Sequence, residues 1–478
     1  MKQKLFTALG AVMVLSFALG ACASPTPQII IQTQVVQQTG VPVQVTSAPI
    51  VVTQIVAGTP QTVEITATPA PTANPFDDKA PITVWIDAAR KPMADLWTKT
   101  HPDQASLVKF EIVDRTVFPS KVLLFNNSGS GWPDALFGEP SVVQAVADAA
   151  HDYPMDLTPW VDAKVVSGFV PGALDPCYSA DKKQLLCLRN DLAPNVLWYD
   201  KIQMDAFGYT VPTTWEDFQA LGDKVAKEHP GYVLGTADNE PTFYMWASGC
   251  PVAQPLSISK VVINATDPKC VRVAQMIDHM TANGSLSRLG PFDTKYIKLG
   301  NDNKILMMTC AAWCGDYVFK GTYYKINDKR LAAALPPKWA ADDKAYTGSW
   351  GGAAWSVSKH TVNPKLAVSI AVYMTTDIDV TQIVGTMPAY GPAADAWSKK
   401  LATSDLYAVD PYDVMKQAVG MVNPNFTDVV RYDLFHAGFK PFLTAVEQSK
   451  PTAPTLADVQ TTLTDLAQKE GYEVVAAP

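Results

Sequence analysis

Positive charge is in short supply. The chain of 478 residues carries 38 Lys and Arg against 46 Asp and Glu, a formal net charge of −8 at pH 7. Without a basic patch nothing releases counterions from phosphates, which excludes nucleic acid as a partner. The usual catalytic signatures are missing too. There is no G-x-S-x-G elbow, no P-loop and no H-E-x-x-H pair, so no enzyme is read from motifs. The six histidines (His101, His151, His229, His279, His360 and His436) are scattered, none at ligand spacing from a cysteine. Neither a metal nor a cofactor is therefore expected. Paired carboxylates are common enough that composition alone leaves a glycosidase open. Beyond the first 22 residues no apolar run is long enough to span a bilayer. What is there, 47% hydrophobic and 18% charged residues, suits a globular body of two domains.

Residues 1–22 read MKQKLFTALGAVMVLSFALGAC. Lys2 and Lys4 precede a short apolar stretch, which marks a secretory signal rather than a spanning helix. Leu19-Gly20-Ala21-Cys22 resembles a bacterial lipobox. That implies cleavage before Cys22, lipidation of Cys22, and an exported body held by acyl chains on the extracytoplasmic face of the cell membrane. Six cysteines remain: Cys177, Cys187, Cys250, Cys270, Cys310 and Cys314. An even number in an exported chain implies disulfides, with 15 pairings open. Nearest neighbours are the expected partners, 177 with 187, 250 with 270 and 310 with 314, the last a tight span.

Residues 23–79 are a different material, rich in Thr, Gln, Val and Pro. Segments such as TATPAPTANP build no core and favour extended backbone, so this stretch reads as a low-complexity tether with some β character. An adhesive stalk is the alternative. From Pro81 the pattern alternates. ITVWIDA, LVKFEIVD and PDALFG read as strands, with helices over 92–101, from Ser120, and over 141–150, which predicts a mostly parallel sheet. Thr214 before Glu216 and Asp217 starts a helix over 214–228, capping free N–H groups with acid at the positive end. Further helices are expected over 271–283 and 456–470, the last with Leu456, Val459, Leu463 and Leu466 on one face. In Tyr346–Lys359, YTGSWGGAAWSVSK, paired glycines precede a strand of period two. Gly351 and Gly352 let the backbone bend or another group come close. Trp350 beside them either walls a pocket or packs in a core.

Taken in order, these segments resemble the extracellular solute-binding proteins of ABC importers, the maltose-binding-like family 1 group. PDALFG, DLTPWV, VLWYDK, VPTTWEDFQALGDKVA, ILMMTCAAWCGDY, the glycine-rich YTGSWGGAAWSVSK and TMPAYGPA each have a counterpart in that family, over nearly the whole body. Asp200 stands where the family usually has Asn, and Cys310 and Cys314 where it usually has neither. The resemblance implies an α/β type II periplasmic-binding-protein fold: two lobes, a hinge and an interlobe ligand cleft. Lobe one would be 81–190 with 335–388, and lobe two 191–334 with 389–478.

The same resemblance implies a carbohydrate ligand, a membrane permease as partner, a monomer, and a small polar guest clamped between indole plates and ionised edges. Sugar hydroxyls suit carboxylates and Arg, while C–H faces suit aromatic rings. The ligand-binding candidates are Asp87 and Arg90 after the first strand, Glu139 after PDALFG, Asp191 at the first crossing, Trp246, Trp313, Asp316, Trp350 and Tyr390. Each has a plain alternative as a surface ion pair, a cap or a packing residue. Other readings are a peptide, polyamine or metal-chelate binder of the same fold, and a secreted glycan-active enzyme or wall-adhesion protein.

Overall fold

The computed structural model describes residues 50–56, 59–65, 76–114, 117–147, 151–179, 181–238, 241–257, 259–423 and 437–476. The signal segment, Cys22 and most of the tether lie outside them. Residues 1–73 and 74–478 are separate units. In the first, β1 (Ile50–Val56) and β2 (Thr59–Ile65) pair antiparallel, Ile50 opposite Ile65 and Val56 opposite Thr59.

The second unit opens with β3 (Ile82–Ile86), then α1 (Lys91–Thr100), β4 (Val108–Ile112), α2 (Phe118–Ser128) and β5 (Ala135–Gly138). β5 is buried throughout, as a central strand covered on both faces should be. The helix expected over 141–150 is shorter, Pro140–Ala145. β6 (Leu188–Arg189), β7 (Asp191–Leu192) and β8 (Asn195–Asp200) follow closely. The helix expected from Thr214 is α3 (Trp215–Glu228), and the Thr214 hydroxyl accepts from Asp217 N at 3.0 Å. Its buried Trp215, Phe218, Gly222 and Val225 recur at three- and four-residue steps. A Cβ on Gly222 would stand 2.7 Å from Met280 and Ser285, so glycine lets α3 lie close on α4 (Pro268–Asn283).

Before α4, β9 (Gln254–Ser257) and β10 (Lys260–Val262) form a small sheet with a late strand. The chain then runs through β11 (Met307–Ala311), β12 (Leu331–Ala334), β13 (Ala354–Val357), α5 (Pro364–Thr376) and β14 (Met387–Pro388). It ends in α6 (Gly391–Ala402), α7 (Tyr412–Val419), α8 (Lys440–Glu447), α9 (Leu456–Lys469) and β15 (Glu473–Val475), which closes the small sheet. On α9, Leu456, Val459 and Leu463 are buried with Ala467, whereas Leu466 is half-buried.

Two larger sheets carry the fold, ordered β4-β3-β5-β13-β6 and β11-β8-β12. The first is mixed rather than mostly parallel. β3 runs parallel to β4 and β5, but β13 runs antiparallel to β5 and β6, and the second sheet is antiparallel throughout. The reason is topological: β13 re-enters the first sheet after an excursion through the second, from the opposite end. It is buried at all four positions, so the period-two pattern read from sequence has no exposed face here. On β8 alternation does separate two cores. Val196 and Trp198 join the core that includes the first sheet, and Leu197 joins the core of α3, α4, α8 and α9.

Three segments pass between the two sheets, around 190–194, 335–353 and 386–390. They are laced together. Leu192 pairs with Met387 and Asp191 with Pro388, Trp350 N donates to Ala193 O at 3.0 Å, and Asn190 N donates to Ala353 O at 2.7 Å. This two-sheet, three-crossing architecture is the two-lobed type II fold.

Candidate functional site

The carboxyl ends of parallel strands are where an open α/β sheet meets its ligand. The β3–β5 register sets Asp87 and Glu139 at that edge. Asp87 caps a short 3-10 turn, Ala88–Arg90, accepting from Arg90 N at 3.0 Å. Arg90 is 9% exposed and lies over the Phe137 ring at 4.2 Å. Its guanidinium sits 3.5 Å from Asp87 and 3.7 Å from Asp191, and its Nε is buried with no hydrogen-bond partner among the described residues. Half-buried Glu139 follows Gly138, which opposes Ala354.

Asp191 lies in β7 and is 3% exposed. Its Oδ1 accepts from Asn190 Nδ2 at 3.0 Å and Ala353 N at 3.1 Å. Those bonds tie two crossing segments and leave Asp191 as a hinge tie that also faces Arg90. Gly352 is required beside it. Its φ is +83°, and a Cβ there would meet Arg189 and, at 2.9 Å, Asp191 O.

Trp313 and Trp350 come together from distant sequence. Their ring centroids are 4.7 Å apart at 45°, and Trp313 Nε1 donates to Trp350 O at 2.8 Å. Both are half-buried. In contact with each other they make one continuous wall, so the expected clamp with a guest between indole plates does not form from this pair. Behind Trp350 stands Phe243 at 5.1 Å, with Trp246 stacked on Phe243. Trp246 is 5% exposed and packs against Gly348, which has no side chain to hold it off. Trp246 thus backs the wall.

Trp313 precedes a wide π-helical turn, Gly315–Phe319. Such turns recur at functional sites. The turn carries Asp316, which stands 3.9 Å from Lys320 and against Gly385. Burial holds the Asp316 carboxyl above the ordinary carboxylate range, with Lys320 and Lys400 opposing. It also carries Tyr317, a residue sequence reading missed. Tyr317 lies 6.3 Å from Trp313 and feels Arg90, Asp191 and Asp87, with burial raising its phenol above the ordinary value. Its spacing of four from Trp313 was the available signal. Asn195, also missed, is 1% exposed, and both its amide atoms lack partners among the described residues.

Tyr390 lies two residues beyond Pro388, which pairs with Asp191. Its ring lies on Gly168 and edge-on to Phe169 at 5.4 Å. An open groove of about 980 Å³ lies apart, lined by α1 and α5 residues such as Trp97, His101, Val368 and Tyr373, and none of the nine candidates lines it.

The cysteines pair as nearest neighbours, Cys177–Cys187, Cys250–Cys270 and Cys310–Cys314. Among the described residues no cluster of three or more His, Cys, Asp or Glu could hold a metal, and no helix is long and apolar enough to cross a membrane.

Comparison with known proteins supplies the family. No curated protein sequence matches the chain. Solved structures match over most of its length. The ABC transporter associated binding protein from B. animalis subsp. lactis Bl-04, in complex with beta-1,6-galactobiose, is 19% identical with a TM-score of 0.65, covering 83% of this chain and 99% of that one. The galacto-N-biose-/lacto-N-biose I-binding protein from Bifidobacterium longum is 18% identical with a TM-score of 0.65, over 84% and 100%. The sugar-binding protein MalE from Xanthomonas citri is 13% identical with a TM-score of 0.66, over 82% and 98%. At these identities the likeness is one of fold. A family model of the bacterial extracellular solute-binding proteins matches residues 108–411, more than half of the sequence, and the chain belongs to that family.

Proposed function

We propose that the protein is the substrate-binding lipoprotein of an ABC importer, taking a mono- or oligosaccharide between its lobes and handing it to a membrane permease unchanged. The observation that carries this is the partly exposed Trp313–Trp350 wall, joined through Gly351–Ala353 and Tyr317 to the Asp87–Arg90–Asp191 cluster. A pyranose offers an apolar C–H face to such a wall and hydroxyls to such an edge. The spare Nε of Arg90 suits a hydroxyl acceptor. The galactobiose and lacto-N-biose in the matched structures agree with this reading.

In this reading Trp313 and Trp350 stack on the sugar. Asp87, Arg90, Glu139, Asp316 and Tyr317 bind its hydroxyls, while Asp191 and Trp246 support them from behind. Tyr390, its ring packed on Gly168, flanks them at the end of the third crossing. The lobes are 81–190 with 335–388, and 191–334 with 389–478. Cys22 carries the lipid, and residues 23–79 space a monomeric body from the cell membrane.

The test is a thermal-shift and calorimetry panel of mono- and oligosaccharides, with polyamines and peptides alongside. A ligand at a hundred times its Kd stabilises the folded state by about 2.7 kcal/mol. A melting-point rise with a sugar, without its turnover, supports the proposal; no rise with any sugar refutes it. A cationic ligand has one observation in its favour: Asp87, Asp191 and Glu139 stand at this strand edge with Arg90, a surplus of carboxylates, whereas Asp316 already faces Lys320. A rise with spermidine alone selects that reading. For the anchor, Cys22→Ser should release the protein from membranes without detergent.

A further inference from the structure

We infer that the Cys310–Cys314 disulfide is a positioning device for the ligand wall: it holds Trp313 in its ligand-facing place, and opening it uncouples that residue from the fold. The inference rests on the proposed ligand role of Trp313 for its functional consequence, and on geometry for the rest.

Cys310 belongs to β11, where it opposes Val196 of β8, and Cys314 opens the wide turn Gly315–Phe319. Trp313 is therefore enclosed in the short loop that the bridge closes, between a sheet strand and a helical turn. Both cysteines are fully buried while Trp313 is half-buried, so the anchor is inside and the plate reaches out. The non-covalent holds on this loop include the Trp198 Nε1 to Ala311 O bond at 3.0 Å, the Ala312 N to Pro194 O bond at 2.9 Å, the Tyr317 N to Trp313 O bond at 3.0 Å and, on the Trp313 side chain, its Nε1 to Trp350 O bond at 2.8 Å. The Trp350 end of the last bond is itself held, since Trp350 N donates to Ala193 O at 3.0 Å. The bridge adds a covalent tie from the Trp313 plate to the β8–β11 ladder.

The other two bridges serve as internal controls. Cys177–Cys187 joins residues ten apart, and Cys250–Cys270 ties the start of α4 to the loop before β9. Neither encloses a candidate ligand residue.

The experiment uses the full chain in detergent, with 5-fluorotryptophan in place of its 12 Trp. Trp313→Phe assigns the Trp313 fluorine resonance. The first readout is that resonance in wild type, in Cys310→Ser/Cys314→Ser and in Cys177→Ser/Cys187→Ser. The expected result is a shifted or exchange-broadened Trp313 line in the first double variant only, with the tryptophan lines remote from the loop, such as those of Trp97 and Trp215, retained as proof of folding. The second readout is Kd for the best sugar of the panel. Affinity should fall about tenfold, or roughly 1.4 kcal/mol, in the first double variant only, because ligand binding must now order a freed residue. An unchanged Trp313 line overturns the inference, as does equal weakening by both double variants. So does a mobile Trp313 with unchanged sugar affinity. If no sugar binds wild type, the carbohydrate reading falls, and the fluorine line alone decides whether the bridge holds Trp313.

Discussion

Truncating Trp313 to Ala gives the sharpest test of the ligand wall. A tryptophan side chain carries about 150–250 Å² of contact surface. Trp313 is mostly buried against Trp350 and its neighbours, so at most about 90 Å² is left for a ligand to cover. At about 25 cal/mol per Å² that area is worth up to roughly 2 kcal/mol of affinity. Ordering costs reduce it, so a loss of about 1–2 kcal/mol is expected, a rise in Kd of roughly 5- to 30-fold. The buried part has its own cost. Losing the 2.8 Å bond to Trp350 O and the ring contact should lower folding stability by about 2 kcal/mol. Trp313→Phe separates the two effects, since it keeps a plate and removes the N–H donor. The assays are titration calorimetry for Kd and urea denaturation for stability. A Kd within twofold of wild type in Trp313→Ala, alongside a measurable stability loss, would show a packing residue and refute the reasoning.

Arg90→Ala should destabilise the fold by about 1–3 kcal/mol in urea, since it removes the cation facing the buried Asp191 and empties the space on Phe137; an unchanged midpoint would contradict this. Asp316→Asn should stabilise the protein at neutral pH. The folded state holds the Asp316 proton more tightly than the unfolded state, so wild type loses stability relative to the variant as pH rises from the ordinary carboxylate value through the raised one. Melting points from pH 3.5 to 7 should diverge accordingly, and a constant gap would sink the assignment. Gly348→Ala should cost about 1–3 kcal/mol through overpacking, because its Cβ would fall inside the Trp246 ring; an equal urea midpoint would show that Trp246 swings away freely.

Much of the fold could be read locally. The Thr214 cap and the acids after it mark α3 because a helix end must satisfy its own N–H groups. PDALFG reads as a buried strand because an apolar run bounded by Pro and Gly has few other uses. Local signals failed where distance mattered. Nothing in AWSV states that β13 returns antiparallel, since the direction follows from where the chain has been in between. Asp191 looks like any crossing acid until Asn190 and Ala353 are seen to take its oxygen. Trp246 and Trp350 are both tryptophans near a glycine, yet one is buried backing and the other half-open wall. Side-chain type does not encode that difference, because burial depends on which segment packs opposite.

The sequence by itself determined the α/β class, the solute-binding family, the even set of body cysteines and the stock of aromatic and acidic residues near strand ends. These follow from periodicity, composition and motif order, all properties of neighbouring residues. Tertiary structure alone decided that Trp313 and Trp350 touch, that Tyr317 comes within electrostatic reach of Arg90, and that Tyr390 lies against Gly168. Those pairs are separated by 37 residues (Trp313 to Trp350) or more, and each doubling of the separation adds only about 0.6 kcal/mol of loop-closure cost. They are settled by how the two sheets and their three crossings pack, a global balance that no short stretch records.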